Sequence, residues 1–524
     1  MKNEKNRKDR KKILCIVVGI VILLAVVIAI CYRYFNKSKE KESMKYVSCY
    51  KGNAQTINKT DERKKTFVIG VSNIPTDTKV YEHDTEAGHI TENLVYEPFL
   101  RIDSMGRVTN VLAKNITFSN HGKKARIELK QARFSDKTIL QADDIIASYE
   151  RVAAQHSESY KKEFLSSIQG VLEYQEKKSD DISGIKKIDD QTVEVTFESV
   201  KASNLLAFTI PIQKLEKDEQ SENYPVGTGP YKISNIIFQQ QMEFTRNEEY
   251  QDSPYAYDTI QIRTMARNKL EEELKDHTVD LFYMNGKKDL DTIKKNNGYD
   301  VYQVRKQEYQ YIGFNLKSDA GKDVKVRQAV AYAIDRKTLE EKNIVFSNGL
   351  TSYGIISTDN IYGCQQSVPS QNEKKAKELW KESKQKQLKL VCPSDEYSLS
   401  YAKEIKKELE NAGIKVKIQE SKETTEEQSN SITLQKEQGD FYLDLPTEQS
   451  LIEFAENLLE ENSDLQKKYE EVSQKIFTKN YAEVYNTVED FCIENQFIIP
   501  VVASSSFLAV SSDCSGEQMM ELFY

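Results

Sequence analysis

The hydrophobic pattern is most regular between residues 311 and 339, where a strand pattern leads through a polar loop into a helix pattern. Tyr311 to Leu316 carries aromatic and aliphatic side chains at strand spacing, and the polar stretch after it contains Gly321. Asp323 can accept a hydrogen bond from a free amide in the first helical turn. The apolar residues of the helix share one face and are Ala329, Val330, Ala333 and Ile334. This stretch therefore predicts a strand, a loop and a helix packed against a core.

Strand and helix patterns alternate through most of the chain. The runs with the alternation or compactness of strands are Phe67–Val71, Ala125–Leu129, Thr192–Phe197, Asp258–Met265 and Ile414–Ile418. The runs with helical spacing are Ile90–Leu100, Gln141–Tyr149, Lys269–Lys275, Glu373–Ser383 and Tyr401–Ala412, and Gly413 can end the last of these helices. Strands that alternate with helices predict an α/β protein, and 524 residues are enough for two or three domains.

The N-terminus contains one long apolar run, Ile13–Cys31, without a charged residue. At about 1.5 Å rise per residue its helix nearly spans a hydrocarbon core of about 30 Å. Seven basic residues precede the run, which places the N-terminus in the cytoplasm by the positive-inside rule. The sequence thus predicts a cytoplasmic tail at residues 1–12, a transmembrane anchor at 13–35 and a polar tether at 36–65, with everything after it outside the cell.

Three interpretations of the apolar run remain open: an uncleaved anchor, a cleaved signal peptide, and a lipoprotein signal with Cys31 as the lipidated residue. The run exceeds the apolar region of about 7 to 15 residues that a signal peptide usually has. A lipoprotein signal usually has a small residue before its cysteine, whereas Ile30 occupies that place. The uncleaved anchor is therefore favoured, and each interpretation keeps the protein on the outer side of a membrane.

Charge and cysteine content exclude some classes of protein. The net charge is −8, and the rest of the chain without the basic residues 1–12 is more acidic still. This charge argues against a nucleic-acid-binding protein. Two of the seven cysteines, Cys15 and Cys31, lie in the apolar run. No metal-binding spacing occurs among the others, so a disulfide between Cys492 and Cys514 and a set of free thiols both stay open.

Nothing in the sequence indicates catalysis. The chain has no G-x-S-x-G, H-E-x-x-H or P-loop motif, and its five histidines are dispersed. Only His83 and His89 approach a cluster, in a stretch typical of a polar surface loop. The glycine-rich segment Pro225–Tyr231 lacks the Gly-Lys-Ser/Thr of a phosphate loop, and its two prolines predict a rigid bend before a strand. We therefore expect no enzyme activity, no metal and no cofactor.

Several motifs occur in an order that is specific to one family. They are Glu92–Leu94, Leu112–Ala113, Phe134–Asp136, Ala142–Asp144, Pro225–Tyr231, Val279–Leu281, the 311–339 stretch and Glu408–Ile418. Together they resemble the dipeptide and oligopeptide binding proteins of ABC importers, the family 5 extracellular solute-binding proteins. Lys137 and Asn115 depart from this pattern, since family members usually have glycine and tryptophan there. The resemblance extends from about Phe67 to Val510.

The resemblance implies a two-lobed α/β fold of the periplasmic-binding-protein type (type II, cluster C-like), with an extra subdomain in the first lobe and the ligand between the lobes. The expected divisions are lobe one at 66–305 with an inserted subdomain at about 94–190, lobe two at 306–499, and a return to lobe one at 500–524. Two strands would cross between the lobes, around residues 305–315 and 499–503. Such proteins work by hinge closure on a ligand.

The resemblance also suggests a ligand site. The candidate residues are Asn73, Tyr309, Tyr311, Asn315, Tyr442 and Asp444. In family members an acid after a Gly-Trp pair binds the ammonium end of a peptide; here residues 439–448 lack that pair, and Asp444 is the best candidate. A solvated turn acid is the alternative for Asp444, as core packing is for the tyrosines. The only tryptophan, Trp380, is expected to pack in the second lobe.

Two functions follow from this interpretation. The first is a membrane-tethered solute-binding protein that captures oligopeptides or similar small solutes for the permease subunits of an ABC importer. The alternative is a surface receptor or interaction protein of the same fold that senses a peptide with a degenerate cleft. Both place the large C-terminal region outside the cell membrane.

Overall fold

The computed structural model describes most of the chain beyond residue 45. The described residues are 46–53, 65–75, 85–102, 108–154, 164–215, 224–250, 255–275, 277–284, 287–342, 350–351, 368–394, 396–421, 439–444, 456, 459, 463–481, 484–496, 498–514 and 518–523. The predicted cytoplasmic tail and transmembrane segment lie outside these ranges. Within them, no helix is both long and apolar enough to cross a membrane. Residues 48–524 form one compact unit.

Strands and helices alternate as the pattern predicts. The strands are β1 (Tyr46–Tyr50), β2 (Thr66–Val71), β3 (Leu100–Ile102), β4 (Val108–Asn110), β5 (Ala113–Ser119), β6 (Lys124–Leu129), β7 (Ile185–Asp189), β8 (Thr192–Thr196), β9 (Tyr231–Ile237), β10 (Gln241–Arg246), β11 (Thr259–Thr264), β12 (Leu281–Met284), β13 (Tyr299–Phe314), β14 (Leu350–Thr351), β15 (Leu388–Pro393), β16 (Val416–Ser421), β17 (Phe441–Asp444) and β18 (Ile498–Ser511).

Helices cover the sheets and connect their strands. The α-helices are α1 (Glu86–Val95), α2 (Ala142–Ala154), α3 (Val171–Gln175), α4 (Leu270–Lys275), α5 (Lys287–Asn296), α6 (Asp319–Lys322), α7 (Val324–Ala333), α8 (Arg336–Lys342), α9 (Glu373–Ser383), α10 (Glu396–Asn411), α11 (Ser463–Lys479) and α12 (Val484–Asn495). The 3₁₀-helices are Asn120–Gly122, Ala202–Thr209, Arg267–Lys269 and Gln518–Phe523.

One large mixed sheet forms the centre of the molecule. Its strand order is β16-β15-β17-β13-β18-β12-β2-β11-β10-β9, so the two longest strands, β13 and β18, lie side by side in the middle. On one side are β12, β2, β11, β10 and β9, which we call the first half-sheet. On the other are β17, β15 and β16, the second half-sheet. The central pair is thus shared by two structural halves that come from separate parts of the chain.

The register of the central pair shows where one half passes into the other. β13 and β18 run antiparallel, and their register shifts between the pairs Arg305↔Ser505 and Tyr309↔Ala503. The first half-sheet joins the pair through β12, beside residues 507–510 of β18. The second joins through β17, beside residues 311–314 of β13. The irregularity therefore lies between the two halves, next to the predicted boundary at residue 305.

A smaller antiparallel sheet, in the order β5-β6-β8-β7, occupies the region between the first strands of the chain and β9. Helix α2 and the 3₁₀-helix Ala202–Thr209 bury aromatic side chains beside it, with ring centroids of Phe99 and Tyr149 6.1 Å apart and those of Phe197 and Phe208 5.8 Å apart. Its strands cover residues 113–196, close to the predicted inserted subdomain at about 94–190.

The strand, loop and helix predicted for residues 311–339 are present. Asp323 caps α7, since its carboxylate accepts the Lys325 amide at 2.9 Å. The loop contains the short helix α6, capped by Ser318, which the hydrophobic pattern did not reveal because a four-residue helix has no apolar periodicity. Ala329, Val330 and Ala333 are fully buried as expected.

Two arginines in this stretch are buried, which the pattern did not predict. The guanidinium of Arg327 donates to the carbonyls of Asn495, Gly321 and Lys322 at 2.9, 2.6 and 3.0 Å. Arg336 donates to the carbonyls of Pro500 and Pro369 at 3.0 and 2.8 Å. Burial lowers the pKa of Arg327 to about 10, so the group remains charged at neutral pH. Both arginines tie the 311–339 stretch to the chain around β18.

The glycine-rich segment before β9 is a structural bend, as the sequence predicts. A Cβ atom at Gly227 would lie 1.9 Å from the carbonyl oxygen of Val95, and one at Gly229 would lie 2.6 Å from that of Leu94. The amide of Gly229 donates to Val95 at 2.9 Å. The two glycines therefore let the segment touch the end of helix α1.

The predicted tether differs from the structure in its middle third. Residues 48–53 are fastened to the fold instead of being free. Lys51 forms an ion pair of 2.8 Å with Asp300 at the start of β13, and the amide of Gly52 donates to the same carboxylate at 2.8 Å. Ser512 donates to Asp300 as well, at 2.8 Å. Hydrophobic patterning missed this attachment because polar contacts carry it.

The described cysteines Cys49, Cys392, Cys492 and Cys514 form no disulfide with one another. Cys392 and Cys492 are buried, Cys514 is half-buried and Cys49 is exposed. The disulfide between Cys492 and Cys514, one of the two alternatives that the sequence left open, is therefore not formed. Cys364 lies outside the described residues.

We expect Gly227→Ala to destabilise the fold by about 3 kcal/mol, because its methyl group has to displace the backbone of helix α1. Equilibrium urea denaturation of the full chain measures the loss. Gly413→Ala is the control: Gly413 has φ +78°, and a Cβ atom there would make only ordinary contacts of 3.9 Å with the Lys377 side chain, so only the backbone penalty of about 1 kcal/mol applies. Equal losses for the two variants would contradict the close contact.

Candidate ligand-binding cleft

The fold brings five of the six predicted ligand-site residues to the second half of β13 and its neighbour β17. In this ladder Tyr311 lies opposite Asp444, and Gly313 lies opposite Tyr442. Tyr309 pairs with Ala503 at the register shift, and Asn315 directly follows the end of β13. The side chains of Tyr309 and Asp444 lie outside the described part of the structure. Residues more than 120 positions apart thus meet at the junction of the two halves.

Asn73 lies apart from the other five, on the first half-sheet. It follows the carboxyl end of β2 and is exposed. Next to it, the amide of Ser72 donates to the Glu86 carboxylate at the start of α1, at 2.9 Å. Ligands of open α/β sheets bind beyond the carboxyl ends of their strands. The position of Asn73 is compatible with ligand contact, and its role stays a prediction.

The two described tyrosines of the candidate site pack in the core. Tyr311 and Tyr442 are each 2 % exposed, within a continuous apolar cluster. Next to them, the rings of Phe314 and Phe441 stack with centroids 6.1 Å apart. Core packing was the alternative that the sequence left open for these tyrosines. Their packing fixes the junction of β13 and β17 to the core, and their contact with a ligand stays a prediction.

Asn315 positions the segment that carries Asp444. Its side-chain amide donates to the carbonyl of Gly439 at 2.8 Å, and its oxygen accepts the Lys317 amide at 3.0 Å. Its own backbone amide donates to the carbonyl of Asp440 at 3.0 Å. With 5 % of its surface exposed, Asn315 joins the end of β13 to the start of β17. This is a positioning role, where the sequence suggested ligand contact.

Sequence reasoning missed a second positioning residue, Asp440. Its carboxylate accepts the backbone amide of Lys389 at 2.8 Å, which fixes the start of β17 against β15. The available signal was an acid and a glycine directly before the short apolar strand Phe441–Asp444. A hydrogen-bonded acid before a buried strand is typical of a backbone anchor. Asp440 and Asn315 together set the path of β17 toward Asp444.

The register shift in the central pair forms a candidate hinge. Between Arg305 and Tyr309 three residues of β13 oppose the single residue Ser504 of β18. This mismatch interrupts the regular hydrogen bonding between β13 and β18, so bending there costs less than in a regular pair. The strand crossing that the resemblance implies is therefore present in β13 and β18, with its irregularity at the boundary of the halves.

One group of described residues has the donor types of a metal site. It consists of Asp280, Asp513 and Cys514, at the far end of β18 from the candidate site. Asp280 accepts the amide of Val68 at 2.8 Å, and Asp513 accepts the hydroxyl of Ser511 at 2.7 Å. These bonds give the acids structural roles. Of the histidine pair from the sequence, His83 lies outside the described residues.

Gly313 permits the close packing of Tyr442 across the ladder. A Cβ atom at position 313 would lie 2.4 Å from Cζ of Tyr442, whose ring is enclosed by the core. We expect Gly313→Ala to cost about 2 kcal/mol. In the background of Tyr442→Leu, which removes the obstructing atoms, the same change should cost under about 0.5 kcal/mol. Equilibrium denaturation of the two single variants and the double variant gives the coupling; simple additivity would contradict this packing.

Comparison with known proteins agrees with this architecture. Residues 107–447 match the family model of bacterial extracellular solute-binding proteins, family 5. The oligopeptide-binding protein AppA of Bacillus subtilis is 25% identical over 385 residues, which cover 71% of this chain and 67% of AppA. A putative ABC transporter peptide-binding protein of Brucella ovis is 26% identical over 171 residues, which cover 30% of this chain and 32% of that protein.

Solved structures share the fold. The murein tripeptide binding protein MppA, in its unliganded open form, superposes with a TM-score of 0.69 at 16% identity and covers 89% of this chain and 94% of its own. The substrate-binding protein CtaP of Listeria monocytogenes gives a TM-score of 0.60 at 19% identity and covers 87% and 95%. These likenesses establish the two-lobed α/β fold. The family model matches well more than half of this chain, so the chain belongs to the family 5 bacterial extracellular solute-binding proteins.

Proposed function

We propose that this protein captures oligopeptides or similar small solutes outside the cell membrane and delivers them to the permease of an ABC importer. The observation that carries the proposal is the shared central pair, β13 and β18. It joins two half-sheets and is irregular where they meet, as a protein that closes two lobes on a ligand requires. Family membership supports the same conclusion, as does the likeness to AppA, a protein described as oligopeptide-binding.

The shared central pair also suggests which elements belong to each lobe. Lobe one contains the first half-sheet, the small sheet of residues 113–196 and the far ends of the central pair. Lobe two contains the second half-sheet and helices α7 to α12. The boundary at residues 305 and 306 that the resemblance implies coincides with the register shift. The chain returns to lobe one within β18, after about residue 503.

Membrane attachment is part of the proposal. The apolar run Ile13–Cys31, with basic residues before it, supports a single-pass anchor with the large domain outside. Lys51 and Gly52 are bound to Asp300, so the tether ends at a fixed point on lobe one. An importer component anchored this way stays near its permease without a closed periplasm.

Recognition of a peptide would combine main-chain contacts with one charged contact. An extended peptide gains general affinity from backbone hydrogen bonds, as in strand addition. Asp444 is the proposed partner of its ammonium group, because its main chain pairs with Tyr311 directly at the crossing of the lobes. Asn73, across the junction at the end of β2, is the proposed contact from lobe one. Tyr309 is proposed to face the ligand beside the hinge.

The full chain, solubilised in detergent, tests the function. Mass spectrometry identifies any solute that co-purifies, and titration calorimetry measures its affinity together with that of short peptides. We expect binding of at least one peptide in the micromolar range or tighter. A protein that carries no co-purifying solute and binds no peptide at millimolar concentration would overturn the proposal and leave an interaction protein of the same fold.

Asp444→Asn tests the charged contact. We expect affinity for a peptide with a free amino terminus to fall about 10- to 100-fold, since the charge-assisted hydrogen bond is lost. The N-acetylated peptide should bind both proteins equally weakly. Asp440→Ala is the control: it removes the acceptor of the Lys389 amide, so it should lower stability and keep the preference for the free amino terminus. Unchanged affinity in Asp444→Asn would reject this assignment.

A further inference from the structure

A buried polar contact joins two segments that belong to opposite sides of the molecule. One is the 3₁₀-helix Ala202–Thr209, which lies in the chain between the small sheet and β9 of the first half-sheet. The other comprises Glu456 and helix α11, which follow β17 of the second half-sheet. The two segments are separated by about 250 residues of chain, and the candidate hinge lies between them in sequence.

The carboxylate of Glu456 is the centre of this contact. Its Oε1 accepts the amides of Ala202 and Ser203 at 2.7 and 3.3 Å. The hydroxyl of Ser203 donates to its other oxygen, and the hydroxyl of Tyr469 donates to Oε1. Tyr469 in turn accepts the amide of Ala202 at 3.3 Å. Three of the four donors to the carboxylate thus come from the 202–209 segment. The fourth, the Tyr469 hydroxyl, is itself hydrogen-bonded to that segment.

Aromatic packing surrounds the polar contact and crosses the same boundary. Phe118 of the small sheet lies against Phe477 of α11 and Tyr481 behind it, with ring centroids 4.7 and 5.6 Å apart. The hydroxyl of Tyr481 donates to the side chain of Asn110 at 2.7 Å. Gly122 lies so close that a Cβ atom there would be 3.0 Å from Phe477. The contact is therefore extended, partly apolar and complementary in shape.

The energetics of Glu456 suit a contact that opens. The carboxylate is 3 % exposed, so the contact bears the cost of removing it from water. Burial raises its pKa, against the hydrogen bonds of Ser203 and Tyr469 and the positive charge of Lys201. When the contact opens, water molecules replace the four donors and hydrate the carboxylate again, so the cost of removing it from water is regained. The hydrogen bonds therefore fix the geometry of the contact, while their net contribution to the free energy of closure stays small.

We propose that Glu456 is a latch between the two lobes, which holds the protein closed before a ligand arrives and must release the 202–209 segment to admit one. The latch rests on the proposed lobe boundary, and it is independent of the chemical nature of the ligand. It acts at the edge of the junction, remote from the β13–β17 ladder. Its strength sets the fraction of open molecules and thereby the rate of ligand entry.

The experiment measures opening in the full chain without any ligand. Amide hydrogen exchange reports on residues 202–209, and small-angle scattering gives the radius of gyration. In Glu456→Gln the neutral amide brings an NH₂ group toward the Ser203 hydroxyl and removes the charge that the two backbone amides bind. We expect exchange in 202–209 to accelerate by at least about tenfold, with an increased radius of gyration. Ser203→Ala, a smaller change, should act in the same direction and keeps the test valid if Glu456→Gln folds poorly.

Glu408→Gln is the matched control. Glu408 is also a buried carboxylate that accepts a backbone amide, that of Asp335 at 2.9 Å, and both residues lie on the lobe-two side. Its variant should lose stability to denaturant without faster exchange in 202–209 and without expansion. Equal acceleration in both variants, or no change of exchange and scattering in Glu456→Gln and Ser203→Ala, would show that the contact is static packing and overturn the latch. Neither result would bear on peptide binding, which calorimetry tests separately.

Discussion

The structure depends on the pairing of two long strands, β13 and β18. Each strand is needed twice, since its two ends complete different half-sheets. Main-chain hydrogen bonds satisfy the buried amides and carbonyls along both, so the pair can pass through the middle of the molecule without the cost of unpaired polar groups. Two register shifts, between Arg305 and Tyr309 and between Gln310 and Tyr311, interrupt this continuity. A ladder that is interrupted where the two halves meet localises bending there, which is what a binding protein with two lobes needs.

Polar side chains fix the loops that meet this strand pair. Arg327 and Arg336 bind carbonyls of the chain around β18, and Asn315 and Asp440 determine where β17 starts. Arg327, Arg336 and Asn315 are buried and Asp440 is half-buried, so each would be costly without its partners. Their bonds define the path of the segment that carries Asp444. The candidate site is therefore positioned by polar bonds to the main chain.

The hydrophobic pattern and the motifs anticipated much of the fold. Alternating strands and helices, the cap at Asp323, the bend at Gly227 and the strand crossing all follow from local side-chain chemistry or from the family resemblance. The candidate site was less predictable. Tyr311 and Tyr442 could face a ligand or the core, since strand alternation gives two faces and does not say which is buried. Asn315 has the polarity of a ligand contact, yet both ends of its amide are used by the backbone.

The sequence by itself determined the order of elements and the family, because these depend on periodicity and motifs that are local in the chain. Only the tertiary structure decided which distant groups meet. It bound Lys51 to Asp300, left Cys492 and Cys514 without a disulfide between them, and placed Glu456 against Ala202 and Ser203. The physical reason is that polar bonding and desolvation depend on neighbours in space, and a buried glutamate looks the same in the sequence as one on a solvated helix face.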